Sequence, residues 1–422
     1  MTNLTQQLSK QFFGAAMRVV ALALFLVVFG AGAALAQTRG YVTNSDDDTV
    51  SVIDPSNNNT VVATVSVGDG PAGVAVTPNG AFVYVTNENS NTVSVISAAN
   101  NAVVQTVTVG NNPGGIAITP NGAFVYVANL GDGTVSVIDT ANNAVTDTVL
   151  VGGLRGFVAI SPNGAFVYVT GFSGSFPGSV VVIDTANNTL ANPVSVGFFP
   201  AGIAITPDGA FAYVGDLFTN DISVISTSSN TVVNTVTVGT QPGGIAITPN
   251  GAFAYVANRG DNTVSVIDTA TNAVVDTVLV GAFPNSVAIT PNGAFAYVPN
   301  SSGNTVSVIS TANHAVTQTI TVGNGPAFIA FGVSDPLQSL IDQIQALIDA
   351  GTLTQNQGAG LIDKINQVIA KLDADQTSAA CNQLSAFISQ VNAFINNHTL
   401  TPSQGQTLID GANAIKTNIG CP

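Results

Sequence analysis

One phrase recurs along most of this chain and decides what it can fold into. Pro-Asn/Asp-Gly-Ala-Phe begins at Pro78, Pro120, Pro162, Pro207, Pro249 and Pro291, at separations of 42, 42, 45, 42 and 42 residues. A period near 42 built from short apolar runs is that of a β-propeller blade, a unit that buries its faces only against copies of itself. Each copy reads as four runs, shown by Gly-Ile-Ala-Ile (115 to 118), Phe-Val-Tyr-Val (124 to 127), Thr-Val-Ser-Val-Ile (134 to 138) and Val-Thr-Asp-Thr-Val-Leu-Val (145 to 151).

Counting the runs one kind at a time gives seven of each. The second runs carry Tyr41, Tyr84, Tyr126, Tyr168, Tyr213, Tyr255 and Tyr297. The chain begins its repeats on a second run (Tyr41) and ends them on a first run, Phe328-Ile-Ala-Phe331, so those two ends are expected to share one blade and close the ring. Val, Ile, Thr and Ala dominate the strands, as expected where neighbouring blades cover both sheet faces. Pro-Asn-Gly after the first run, and Asn-rich segments such as Asp-Thr-Ala-Asn-Asn after the third, are turn chemistry.

Composition narrows the function. Eight Lys and Arg stand against 23 Asp and Glu, a net charge of −15, so the chain offers no basic stripe and nucleic acid is not an expected partner. Two histidines, two cysteines and one glutamate, Glu88, leave few groups suited to proton transfer or nucleophilic attack, and no cofactor is expected.

The first 36 residues read as a signal peptide. Lys10 and Arg18 precede the apolar run from Val19 to Phe29, and Ala34-Leu35-Ala36 supplies an A-x-A cleavage site. Cleavage before Gln37 leaves no membrane span in the mature form. The chain is therefore expected outside the cytoplasm, in the periplasm, secreted or at the cell surface.

Tyr41-Val-Thr-Asn44, Tyr84-Val-Thr-Asn87 and Tyr126-Val-Ala-Asn129, together with Ser-Val-Ile-Asp and Pro-Asn-Gly, resemble the YVTN-type β-propeller repeat. The resemblance spans residues 37–333 and implies an all-β seven-bladed propeller of four-stranded antiparallel blades, commonly exported or at the cell surface in bacteria and archaea. It implies no single activity. Gly171 and Asp216 depart from the motif's Asn, a change expected to alter only the local turn.

Residues 334–422 change period. Leu337, Leu340, Ile341, Ile344, Leu347 and Ile348 fall on one helical face, and three more such runs follow, around Leu361 to Leu372, Leu384 to Ile395 and Leu408 to Ile419. Thr354-Gln-Asn-Gln357 and Thr401-Pro-Ser-Gln404 read as capping boxes, the second with Pro at the first helical position. They belong to a duplication offset by 47 residues, Thr352 to Asp363 recurring as Thr399 to Asp410, which predicts two helical hairpins forming a four-helix bundle. Cys381 and Cys421 are expected as a disulfide rather than as free or metal-binding thiols. Ala386-Phe-Ile-Ser-Gln-Val-Asn-Ala393, followed by the capped Leu-Ile-Asp helix, is similar to the FIMAH module of secreted bacterial proteins, which implies an accessory role.

Comparing the copies separates scaffold from site. The turns after the first and third runs barely vary, whereas the loops after the second and fourth runs vary widely and lie on one face of an antiparallel blade. That face is the candidate binding surface for a protein or envelope ligand. Its departures are Arg155 and Phe157, the insertion bearing Phe172 and Phe176, then Phe198, Phe199, Leu217, Phe218 and Phe283. Phe157 and Phe328 take a position that is Gly73, Gly115, Gly202, Gly244 or Ser286 elsewhere, and are expected to narrow the central channel. Arg259-Gly260-Asp261 spells an adhesion tripeptide but fits a repeat turn, since Gly131-Asp132 fills the same place. Asp46, Asp47 and Asp48 are a weak calcium candidate, lacking the spaced acids of a known loop. The expected function is an exported, non-catalytic binding or scaffold module. The rival is a propeller enzyme, lactonase-like or a haem- or quinone-dependent oxidoreductase; against it, His314 lies in an invariant-face turn and His398 in the helical tail.

Overall fold

The alternation of Val and Ile with Thr, Ser and Ala is resolved as seven antiparallel sheets in a computed structural model that describes residues 37–171, 177–191, 193–334, 336–374 and 376–421. The third blade is typical. Pro113–Ile118 lies innermost, followed outward by Phe124–Asn129, Thr134–Asp139 and Ala144–Leu150. In the first blade the last repeat strand, Pro326–Ser334, is innermost and pairs with Gln37–Asn44, so the two ends of the repeat region close the ring as expected. The outer strand of the fourth blade is broken into Thr189–Leu190 and Val194–Val196, around Pro193, which has no N–H to give a ladder.

Seven apolar clusters, each shared by two adjacent blades, hold the ring. Tyr126, Val135 and Val137 of the third blade pack with Val167, Val169 and Ile183 of the fourth, and Tyr297, Val306 and Val308 of the seventh pack with Val42 and Ile53 of the first. The tyrosines are fully buried in these seams, and most of their hydroxyls reach an asparagine in the third-to-fourth-strand turn of the next blade. Tyr84 donates to Asn143 Oδ1 at 2.5 Å, Tyr126 to Asn188 Oδ1 at 3.0 Å and Tyr213 to Asn272 Oδ1 at 2.7 Å. Each of these Asn residues sits at positive φ, the left-handed conformation that asparagine tolerates. The repeat's Tyr and its Asn-rich turn are thus two halves of one inter-blade latch. Burial pushes the phenols of Tyr213, Tyr255 and Tyr297 up to about 12, so they remain donors throughout ordinary pH.

Coverage of both faces holds for the inner three strands only. Each regular outer strand buries a single residue, such as Val107 or Val149, and leaves its remaining Val and Thr in solvent; Leu150 and Leu279 are more than 70% exposed. The outermost strand has no neighbouring blade wide enough to cover it.

The C-terminal unit has its own core. Helices α1 (Pro336–Asp349), α2 (Gln355–Asp373), α3 (Thr377–Asn396) and α4 (Pro402–Asn418) bury Leu340, Ile344, Leu361, Ile365, Leu384, Phe387, Leu408 and Ile415 together. Both capping boxes form: Thr354 Oγ1 accepts the Gln357 N–H at 3.3 Å while Gln357 Oε1 accepts the Thr354 N–H at 2.9 Å, and Thr401 with Gln404 repeats the arrangement. The duplication extends to packing, because a Cβ on Gly358 or Gly405 would collide with Ile348 or Ile395, themselves 47 residues apart. Cys381 and Cys421 are joined, with Cα atoms 5.7 Å apart, tying the start of α3 to the chain end. No helix among the described residues is long and apolar enough to cross a membrane, and the segment read as a signal peptide lies outside them.

Candidate functional site: the variable-loop face and the channel mouth

The loops after the second and fourth strands are stitched together on one face. The Leu130 N–H donates to Asn112 O at 2.9 Å, Leu217 to Phe199 O at 3.1 Å, Arg259 to Gln241 O at 3.1 Å and Ser301 to Phe283 O at 3.0 Å. Behind the stitches at Leu130, Arg259 and Ser301 the motif's Asn serves as a buried peg. Asn129 Nδ2 donates to Thr134 Oγ1 at 3.0 Å and Ser136 Oγ at 2.9 Å, and Asn44, Asn87, Asn258 and Asn300 repeat both bonds. Gly110 leaves room for the peg, since a Cβ there would lie 2.7 Å from the Asn129 side chain.

The fifth blade replaces this peg with Asp216, and Asp221 replaces the Thr opposite. Asp216 is fully buried, and Ser223 Oγ now donates to its Oδ2 at 2.6 Å, reversing the direction of the repeat's hydrogen bond. Desolvation, augmented by the neighbouring Asp221 carboxylate, pushes the Asp216 carboxyl up to about 7. The sequence expectation that only the turn would change here is corrected. The turn is retained, Asn220 N–H to Asp216 O at 3.0 Å matching Gly133 N–H to Asn129 O at 3.0 Å, and the change lies in ionisation and bond direction.

The aromatic departures gather in two groups. Phe198, Phe199 and Phe218 stack on one another, with ring centroids 4.7 Å apart for Phe199 and Phe218 and 5.6 Å for Phe198 and Phe218. Leu217 beside them is half-buried, and Phe218 is 51% exposed. Phe199 (φ 64°) and Phe283 (φ 58°) both hold a left-handed backbone, at a position that is Gly70, Asn112, Gln241 or Gly325 in other blades. A bulky residue there is a backbone outlier, stabilised by its surroundings at a cost of about 1 kcal/mol or more. Phe283 is 42% exposed and lies on a different loop from the trio.

Phe157 and Phe328 meet across the central channel with centroids 5.5 Å apart. They line a cavity of about 110 Å³ together with Val74, Ile116, Ile203, Ile245 and Val287, in which Ser286 presents the one side-chain hydroxyl among the described lining residues. Phe172 and Phe176, and the Arg155 side chain, lie outside the described residues.

The sharper motifs resolve into turn chemistry. Asp261 of the Arg-Gly-Asp sequence accepts the Thr240 N–H and hydroxyl, each at 2.6 Å, as Asp132 accepts from Asn111 and Asp47 from Asn324. These bonds hold the Asp47 and Asp261 carboxyls below the usual range. Asp48 accepts instead from the Gly70 N–H at 2.9 Å, so the Asp46 to Asp48 run spreads its oxygens over separate turns. His314 takes the place of the latch asparagine, its Nδ1 2.8 Å from the Tyr255 hydroxyl and its ring edge-on to Phe253.

A ring of seven like blades with unlike rim loops and a narrow apolar channel, followed in the chain by paired helical hairpins, defines a repeat propeller with a C-terminal helical unit. The chain belongs to the YNCE-like β-propeller family, which it matches over residues 15–333, and residues 337–417 match the FIMAH domain. Among solved structures it is similar to Kuenenia stuttgartiensis hydrazine synthase, at 28% identity over 64% of this chain and 92% of that one, with a TM-score of 0.61. A putative 6-phosphogluconolactonase from Bacteroides uniformis matches 70% of this chain and 99% of its own at 20% identity and a TM-score of 0.60. The dihydro-heme d1 dehydrogenase NirN matches 69% of this chain and 74% of its own at 14% identity and a TM-score of 0.54; these last two share the fold alone. A search among curated proteins returns no match.

Proposed function

We propose that this chain is an extracytoplasmic, non-catalytic binding module that engages a protein or envelope ligand through its variable-loop face. The observation that carries the reading is the pair of phenylalanines, Phe199 and Phe283, held at positive φ where other blades use Gly, Asn or Gln. Scaffold requirements favour the smaller residues, so retention of two large rings on a rim is best explained by what the rim touches. The half-exposed Phe218, stacked on Phe199, adds a third ring to this rim.

Three features favour binding over chemistry. His314 is engaged in a structural latch, His398 belongs to the helical unit, and the described lining of the channel presents aliphatic and aromatic walls with a single hydroxyl. The disulfide and the A-x-A sequence support an oxidising, extracytoplasmic setting.

The test combines capture with stability. Phe199→Ala, Phe218→Ala and Phe283→Asn are each used as bait against an envelope extract, alongside the unmodified chain. Capture is expected to fall at least tenfold for the patch, while Phe283→Asn raises folding stability by about 0.5–1 kcal/mol through release of the left-handed strain. Unchanged capture of every partner by all three variants defeats the choice of face.

A further inference from the structure

In two blades the residue following the peg lies over the start of an inner strand. Leu130 shows this: its Cδ1 lies 2.7 Å from where a Cβ on Gly114 or on Gly156 of the next blade would stand. Around the ring this position is Ser45, Glu88, Leu130, Leu217, Arg259 and Ser301 among the described residues. Arg259 follows the same path, its Nε 2.8 Å from the Cβ position of Gly243, the neighbour of channel-lining Gly244.

Two polar groups at this sector lack partners. The Arg259 guanidinium makes no ion pair with a described carboxylate, although the chain is strongly acidic and Arg39 pairs with Asp54 at 2.8 Å. Its Nε is buried without a hydrogen-bond partner, and burial lowers the guanidinium to about 10, leaving it charged at neutral pH. Ser286 is 4% exposed, lines the cavity, and its Oγ is also unpartnered. Its Cβ lies 3.0 Å from the Cβ position of Gly244, one residue from the Arg259 contact. A desolvated cation laid against Gly243, and an unsatisfied hydroxyl on the wall of the apolar cavity that the next residue, Gly244, also lines, match an anion with a short hydrocarbon tail.

We propose that the channel mouth at the sixth and seventh blades binds a short-chain aliphatic carboxylate, its oxygens on Arg259 and Ser286 and its alkyl end in the channel. The cavity of about 110 Å³ is smaller than the roughly 150 Å³ that accommodates benzene, which sets the tail at about three or four carbons. The site uses none of Phe198, Phe199 and Phe218, so its test stands apart from that of the aromatic rim.

Titration calorimetry of the full chain with sodium butyrate at constant ionic strength tests it, with 1-butanol, butylammonium and phosphate as comparisons. Butyrate is expected to bind, 1-butanol and phosphate to bind at least tenfold more weakly, and butylammonium not at all. Arg259→Gln is expected to weaken butyrate at least tenfold and Ser286→Ala about threefold, with Ser286→Ala deciding alone if Arg259→Gln does not fold. Absence of butyrate binding, equal binding of 1-butanol or phosphate, or undiminished binding by the folded variants overturns the proposal.

Discussion

Replacing Asp216 by the asparagine found in five other blades is expected to change how the propeller's stability depends on pH. In the unfolded chain this carboxyl releases its proton near 4, while in the folded blade burial holds the proton to about 7. Between those values the unfolded state binds fewer protons than the folded one, so stability falls as pH rises, and the loss is complete above the folded value. A difference of about three pH units corresponds to roughly 4 kcal/mol. Asp216→Asn has nothing to ionise, and its Nδ2 restores a donor toward Ser223 and Asp221. The gap between the two proteins should therefore be smallest near pH 4 and grow by roughly 3–4 kcal/mol by pH 8. For a unit spanning Thr38–Val333 that is a difference of roughly 6 °C in melting temperature. Scanning calorimetry of both proteins at several pH values and one ionic strength measures it. A gap of constant size from pH 4 to pH 8, or one that widens toward acid, refutes the reasoning.

Two further outcomes follow from the packing. Breaking the Cys381–Cys421 bond, which closes a loop of 40 residues, should destabilise the helical unit by about 4 kcal/mol; circular dichroism at 222 nm should show its melting fall by about 15–30 °C, and a fall below about 5 °C contradicts the estimate. Asn129→Ala removes a buried peg and both of its donated bonds, and urea unfolding should register a loss of about 2–3 kcal/mol, whereas a loss under about 0.5 kcal/mol contradicts the peg role.

What could be read from the sequence was whatever repeats. Seven copies fix the blade count, the offset between first and last runs fixes the closure, and a duplicated Thr-x-x-Gln fixes two helix starts, because each depends on local chemistry recurring at constant spacing. Pairings across blades were not legible: nothing local in Tyr84 points to Asn143, 59 residues away, and the exposure of the outer strands follows from ring geometry rather than from their valines. Asp216 is intermediate. The departure from Asn is visible in the sequence, but its weight depends on complete burial, which only the packed blade supplies. Arg259 was legible as a loop residue, not as a cation laid against Gly243, since the strand beneath it comes from earlier in the same blade.

The hydrogen bonds between Thr43 and Phe328 span 285 residues. The sheet begun first is therefore finished last. Throughout elongation, the strand Gln37–Asn44 waits with one ladder edge open until Pro326–Ser334 arrives. A chain halted before that point offers a sticky border to its siblings, which makes the final nine-residue strand the checkpoint between a finished ring and an aggregate.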